Sequence, residues 1–143
     1  MTPRVALDTN VILDLWHFDD LDARPLRAML DAGALRVVTS DAVDAELADV
    51  LSRAQFCASR DAVLARWRAV ATTVSVTDAA PWACRDPDDQ KLLDLAVCAR
   101  AAALITKDKA LLSLARRAAA AGLQIVSPRR FPEFAAAAPA SAA

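Results

Sequence analysis

Two short apolar runs in this chain stop at the same kind of polar group. Val5-Ala6-Leu7 ends at Asp8-Thr9-Asn10, and apolar residues resume at Val11-Ile12-Leu13. Ala102-Ala103-Leu104-Ile105 ends at Thr106-Lys107-Asp108, and a helical pattern follows. A brief apolar run with polar residues at its carboxyl end, leading into a helix, reads as a buried strand of a parallel sheet. Strands alternating with helices return by right-handed crossovers, giving a parallel sheet between two layers of helices. In open sheets of this kind ligands bind outside the carboxyl ends of the strands. Asp8 and Asp108 both fall there.

The remaining pattern supplies the other elements. After Val5–Leu7 come helices over Val11–Trp16 and Leu21–Asp31, broken near His17-Phe18-Asp19-Asp20. Gly33 suits the left-handed turn that closes a helix, and Leu35–Thr39 reads as the second strand. Ser40-Asp41 caps a helix running to about Ser52, and Arg60–Thr72 is helical with Val63, Leu64 and Trp67 on one stripe. Val74-Ser75-Val76 reads as a short third strand. Asp86 caps a helix in which Pro87 is the first residue, carrying Leu92, Leu93 and Ala96 inward. Ala102–Ile105 is the fourth strand, Lys109–Ala121 a helix stopped by Gly122, and Leu123–Val126 the fifth strand. The expected domain spans residues 1–133, and the alanine-rich tail 134–143 with Pro139 reads as frayed or disordered.

Bulk properties exclude several classes. At 143 residues the chain makes one domain with a sizeable core. Arg, Asp and Glu interrupt the apolar residues too often for the roughly eighteen-residue run of a membrane helix. The first strand begins close to Met1, which leaves no room for a signal peptide and points to the cytoplasm. Cys57, Cys84 and Cys98 are scattered and accompany a single histidine, which argues against a disulfide framework or a zinc site. A net charge of −1 excludes a globally basic nucleic-acid binder but leaves room for a local basic rim.

Of eighteen acids, few point inward. At about 100° per residue, Asp89 falls on the stripe of Leu92, Leu93 and Ala96, while Asp86 and Asp88 fall on its margins. In the helix after Ser40, Glu46 and Asp44 border opposite sides of the Val43–Leu47–Val50–Leu51 stripe, so periodicity does not choose between them. Asp44 has a structural use near the cap, which tilts the reading mildly toward Glu46. Capping alone explains Asp8 or Asp108 singly, but two strands ending in the same chemistry is harder to ascribe to it. Two unit charges about 5 Å apart at an effective dielectric near 20 repel by roughly 3 kcal/mol. Several acids meeting at one place must therefore take up protons or hold cations. An all-oxygen site selects Mg²⁺ or Mn²⁺.

The ordered set of Val5–Leu13, Glu46 within Asp44-Ala45-Glu46-Leu47, Asp89 within Arg85–Lys91, and Thr106-Lys107-Asp108 resembles the PIN-domain family. The likeness is greatest to its VapC-like branch, toxin components of toxin–antitoxin systems, and extends through Ile125–Phe131. It implies a Rossmann-like three-layer α/β/α fold and a metal-dependent ribonuclease acting on single-stranded RNA. It places the catalytic and metal-binding acids at Asp8, Glu46, Asp89 and Asp108, choosing Glu46 over Asp44. It also implies a homodimer and a cognate antitoxin. One departure is Asp41, where this branch often carries proline.

On this reading Asp8 and Asp89 hold the principal ion and Asp108 completes its shell. Glu46 acts through water or a second ion. Thr9, Asn10 and Thr106 orient the carboxylates. Arg85, Lys107 and Lys109 are the candidates to meet RNA phosphates, with Arg129 and Arg130 more distant. Trp16 and Trp67 lie at core spacing, and Trp82 is the tryptophan available to stack on a base. His17 takes no catalytic role. The rivals are a PIN-like module that binds RNA or protein without cutting, a receiver domain, and a haloacid-dehalogenase-like phosphatase. The phosphatase needs a second acid two residues after Asp8, where Asn10 stands.

Overall fold

The computed structural model describes residues 2–137. Five parallel strands form one sheet in the order β3-β2-β1-β4-β5, with β1 Arg4–Leu7, β2 Arg36–Thr39, β3 Ala71–Thr73, β4 Ala103–Ile105 and β5 Gln124–Val126. The chain starts at the centre of the sheet and winds outward to one edge, then crosses back beside β1 to fill the other. The reversal lies between β1 and β4, whose registers are Val5↔Ala103 and Leu7↔Ile105. This is the expected α/β/α architecture.

Alternation along each strand divides the core between two faces. Val5, Leu7, Val37, Ala103 and Ile105 face α1 (Thr9–Trp16), α2 (Arg24–Asp31), α4 (Arg60–Val70) and α8 (Phe131–Ala137). Ala6, Val38, Leu104 and Ile125 face α5 (Gln90–Cys98), α6 (Lys109–Leu112) and α7 (Ala115–Ala120). The helix α3 (Asp41–Leu51) serves both sides: Val43 joins the second cluster, Leu47 and Leu51 the first. Ser40 is its cap, its hydroxyl accepting from the Val43 N–H. Asp41 therefore occupies the first helical position, where proline is also well suited, and its departure from the family pattern leaves the helix start unchanged.

Three expectations need correction. The third strand is Ala71–Thr73, not Val74–Val76, because β2 ends at Thr39, and the helix expected to run to Thr72 therefore stops at Val70. The Thr39 carbonyl takes its last bond from the Val74 N–H, and the Val-Ser-Val alternation then has no neighbour left to pair with. The helix expected over Lys109–Ala121 is two helices with a turn at Ser113-Leu114. There the Ser113 hydroxyl donates back to the Ala110 carbonyl at 2.7 Å and Leu114 bonds only three residues back, a competition with helical bonding that serine commonly offers. Finally, α8 carries on from Phe131 through Ala137, so the boundary expected at Phe134 falls inside a helix. The rest of the tail, 138–143, lies outside the described residues.

Gly33 and Gly122 hold φ of +70° and +91° at the ends of α2 and α7, as a helix-to-strand reversal requires. After α5 the same turn is made by Arg100 at φ +53°, with no glycine to announce it.

Candidate active site

Asp8 stands one residue past β1. Its N–H donates to the Ile105 carbonyl, and its own carbonyl accepts from Val11 and Ile12 to start α1. The backbone thus caps the helix, but the side chain does not. Instead Oδ2 of Asp8 accepts a 2.7 Å hydrogen bond from the hydroxyl of Thr106, a fully buried residue at the end of β4. The same hydroxyl oxygen accepts from the Asp108 N–H at 3.0 Å. One threonine therefore ties together the ends of the two central strands.

Asp108 keeps a capping role as well, since Oδ1 accepts from the Ala110 N–H at 2.8 Å. Asp89 lies at the end of a 3-10 turn, Pro87–Asp89, that leads into α5. Glu46 reaches in from α3, its Oε2 accepting from the Thr9 hydroxyl at 2.9 Å and its Oε1 paired with the Lys91 ammonium at 3.0 Å. Asp44, on the other side of that helix, is fully employed elsewhere. Its Oδ1 accepts from the Thr39 hydroxyl and from the indole N–H of Trp67, at 2.7 and 2.8 Å. Periodicity left these two acids equivalent; position in the fold separates them.

Asp8, Thr9, Asn10, Glu46, Asp89 and Asp108 line one cavity of about 390 Å³ at the sheet reversal. Burial is the main cause that pushes the Asp8 carboxyl above its ordinary range, with the charges of Glu46 and Asp108 adding to it and the Thr106 hydrogen bond opposing it. Asp89 is pushed up to about 7, first by desolvation, then by the neighbouring Asp108 carboxyl and by the charges of Asp8 and Asp86. Oδ2 of Asp89 is buried with no hydrogen-bond partner. An oxygen-only donor set with one orphaned buried carboxylate oxygen fits a hard divalent cation.

The tightest grouping of acids is not quite the expected one. Single carboxylate oxygens of Asp86, Asp89 and Asp108 lie within 4.8 Å of one another. Asp86 is the cap its place before Pro87 predicts, accepting from the Asp88 N–H at 3.0 Å. Its spacing of three from Asp89 could have signalled a shared helix side. Lys91, Phe18, Arg53 and Gln55 also belong to the site or its walls; Lys91 closes the Arg85–Lys91 motif, and no motif points to the other three.

The basic candidates divide. Arg85 and Lys109 are exposed and unpaired among the described residues. Lys107 is not free, because its ammonium pairs with the buried carboxylate of Asp14 on α1. Asn10 is exposed on the cavity wall and makes no side-chain hydrogen bond among the described residues, so its carboxamide orients neither acid here. Arg129 and Arg130 are exposed beyond β5. Trp82 lines a separate groove with Pro81, Val97 and Leu123, away from the acids. His17 bonds Ser59 at 2.6 Å, consistent with a structural place.

Residues 4–110 match the PIN-domain family profile, three quarters of the sequence. The chain belongs to the PIN-domain family. A solved structure similar to this PIN domain is a chain of VapBC2 from Rickettsia felis bound to a DNA fragment from their promoter. The two share 14% identity at a TM-score of 0.63, over 87% of this chain and 98% of that one, a likeness of fold. No protein of curated function matches the sequence. Membership in this family leaves no place for the phosphatase or receiver readings.

Proposed function

We propose that this PIN domain is a metal-dependent endoribonuclease that hydrolyses phosphodiester bonds in single-stranded RNA, as the toxin of a toxin–antitoxin pair. The observation that carries the reading is the Asp89 Oδ2 atom, buried without a partner in a cavity that Asp8, Glu46 and Asp108 share. A carboxylate oxygen withdrawn from water among other acids is unfavourable unless a proton or a cation compensates it. Asp8, Asp89 and Asp108 would hold Mg²⁺ or Mn²⁺, with Asp86 close enough to contribute and Glu46 acting through water or a second ion. Bound there, the ion supplies activation of water and stabilisation of the leaving oxygen of a phosphodiester.

The chain's own residues prepare that chemistry. The Thr106 hydroxyl fixes one Asp8 oxygen, leaving the other for a ligand. Thr9 and Lys91 hold both oxygens of Glu46 and offset its charge until a competing cation or substrate arrives. Hydrolysis on this reading proceeds by direct attack of water on phosphorus, with no covalent enzyme intermediate. Arg85 and Lys109, both exposed, would meet the RNA backbone. The VapC-like resemblance and the VapBC2 neighbour support a cognate antitoxin as partner. A homodimer and action in the cytoplasm complete the reading; among the described residues no helix is long and apolar enough to cross a membrane.

The deciding experiment is cleavage of unstructured RNA with Mn²⁺ and with chelator, alongside calorimetric titration of Mn²⁺ into wild type and Asp89→Asn. Cleavage and Mn²⁺ binding that both disappear in the variant are expected. Cleavage that persists in chelator would overturn the metal role, and RNA binding without cleavage under any divalent ion would leave a non-catalytic module.

A further inference from the structure

Part of the lining of the acidic cavity has a different chemistry. It carries Phe18, Phe56, Arg53 and Gln55. Phe56 is buried, but Phe18 is 58% exposed, an unusual position for a phenyl ring unless something covers it. The ring is not loose. It packs edge-to-face on His17 with centroids 4.5 Å apart, and on Phe56 at 6.2 Å, while His17 also meets Phe56 at 4.8 Å.

The backbone on both sides is pinned as well. The Phe18 N–H donates to the Leu13 carbonyl at 2.9 Å, and the Asp20 N–H to the Asp14 carbonyl at 2.9 Å. Between them Asp19 adopts φ +49°, a left-handed conformation that reverses the chain. Its carboxylate is held by Arg24 at 3.0 Å and Arg27 at 3.5 Å. Phe18 is thus a braced aromatic surface whose ordering entropy has already been lost on folding, the condition that favours ligand contact.

The neighbouring polar groups are free. The Arg53 guanidinium and the Gln55 and Asn10 carboxamides are exposed and make no side-chain hydrogen bond or ion pair among the described residues. An aromatic face, a cation and two bifunctional amides beside a phosphodiester-cleaving pit match one ligand class. Unpaired nucleobases stack on aromatic rings, their exocyclic groups bond amides, and their phosphates attract arginine. We propose that Phe18, with Arg53 and Gln55, forms a subsite that stacks one unpaired nucleobase adjacent to the scissile phosphate. The proposal rests on the ribonuclease reading above. It also accounts for a preference for single strands: a base held in a duplex has no free face to offer Phe18.

The test is Mn²⁺-supported cleavage of a short unstructured RNA by wild type, Phe18→Ala, Phe18→Trp and Leu21→Ser. Leu21 is 71% exposed in the same segment but does not line the cavity. Phe18→Ala raises KM about tenfold, Phe18→Trp restores it, and Leu21→Ser changes nothing. Arg53→Gln raises KM and lowers its dependence on salt. Abasic substitution along the RNA then locates the base: at one position next to the cut, wild type and Phe18→Ala become equal. Melting curves establish that each variant is folded. Wild-type cleavage that Phe18→Ala leaves alone overturns the subsite and assigns Phe18 to a protein contact. A gap between the two proteins that is the same at every abasic position also overturns it. Absence of wild-type cleavage overturns the ribonuclease reading and the subsite with it.

Discussion

The two ends of the sheet are built on opposite principles. At the amino ends of the strands, Pro3, Val5, Met29, Leu35, Phe131 and Phe134 help line a cavity of about 430 Å³ that is mainly apolar. At the carboxyl ends, a cavity of similar size gathers Asp8, Glu46, Asp89 and Asp108. The first end contributes burial of apolar surface and so stabilises the fold. The second places acids close together, where desolvation and mutual repulsion raise the pKa of Asp8 and Asp89 and oppose it. Parallel strands make this division possible, since all carboxyl ends emerge on one side of the sheet. Stability and chemistry can then be altered separately.

The sharpest way to break that contrast is Asp8→Asn. Removing one charge from the acidic end abolishes RNA cleavage, a loss greater than about 100-fold, while the melting temperature stays level or rises. Cleavage retained by the variant would remove Asp8 from the machinery. The mirror experiment is Phe131→Ala at the apolar end. Phe131 is 4% exposed in the core, and its truncation costs about 3 kcal/mol in denaturant titrations, with cleavage per folded molecule unchanged below the melting transition.

A smaller effect separates the two acids of α3. Trp67→Phe deletes the indole bond to Asp44 and lowers stability by about 1 kcal/mol, leaving cleavage intact. Glu46→Gln does the reverse. Equal losses of activity in both variants would mean that α3 acts through its position and not through the Glu46 carboxylate.

The smallest effect is a slope. In the folded chain Asp89 holds its proton up to about 7, against 3.8 when free. The folded state therefore binds that proton more tightly than the unfolded one. Its contribution to stability is fully present below pH 3.8 and is lost as pH rises through about 7. Metal-free wild type should lose melting temperature across this window relative to Asp89→Asn, and saturating Mg²⁺ should narrow the difference. Identical pH profiles for the two proteins would show that the Asp89 charge is already compensated.

Much of the fold was legible because it repeats locally. Val5–Leu7 and Ala103–Ile105 are buried by their apolar side chains, Ser40 caps α3, and Gly33 and Gly122 end helices, each from a few adjacent residues. The third strand was misplaced because Val74-Ser75-Val76 has the right alternation but no partner beyond Thr39, a fact about β2 and not about the segment itself. Arg100 took a glycine's conformation with no signal, and the Ser113 turn needed the hydroxyl bond to show itself.

The site was legible in part for the same reason. Asp8 and Asp108 follow strands, so the parallel rule brings them to one edge, and Asp89 shares the inward stripe of α5. Nothing near Lys107 in the sequence announces its ion pair, because its partner, Asp14, is far away along the chain. Phe18 and Arg53 carried no periodic mark, since both lie outside regular elements.

By itself the sequence determined the sheet, the order of helices and strands, and the edge at which the acids would gather, because periodicity and capping act over a few residues. Only the tertiary structure decided which oxygens lose water. Packing and hydrogen bonding depend on everything around a group: the fold commits Asp44 to Thr39 and Trp67 while Glu46 lines the cavity, brings Asp86 beside Asp89, and leaves one Asp89 oxygen without a partner.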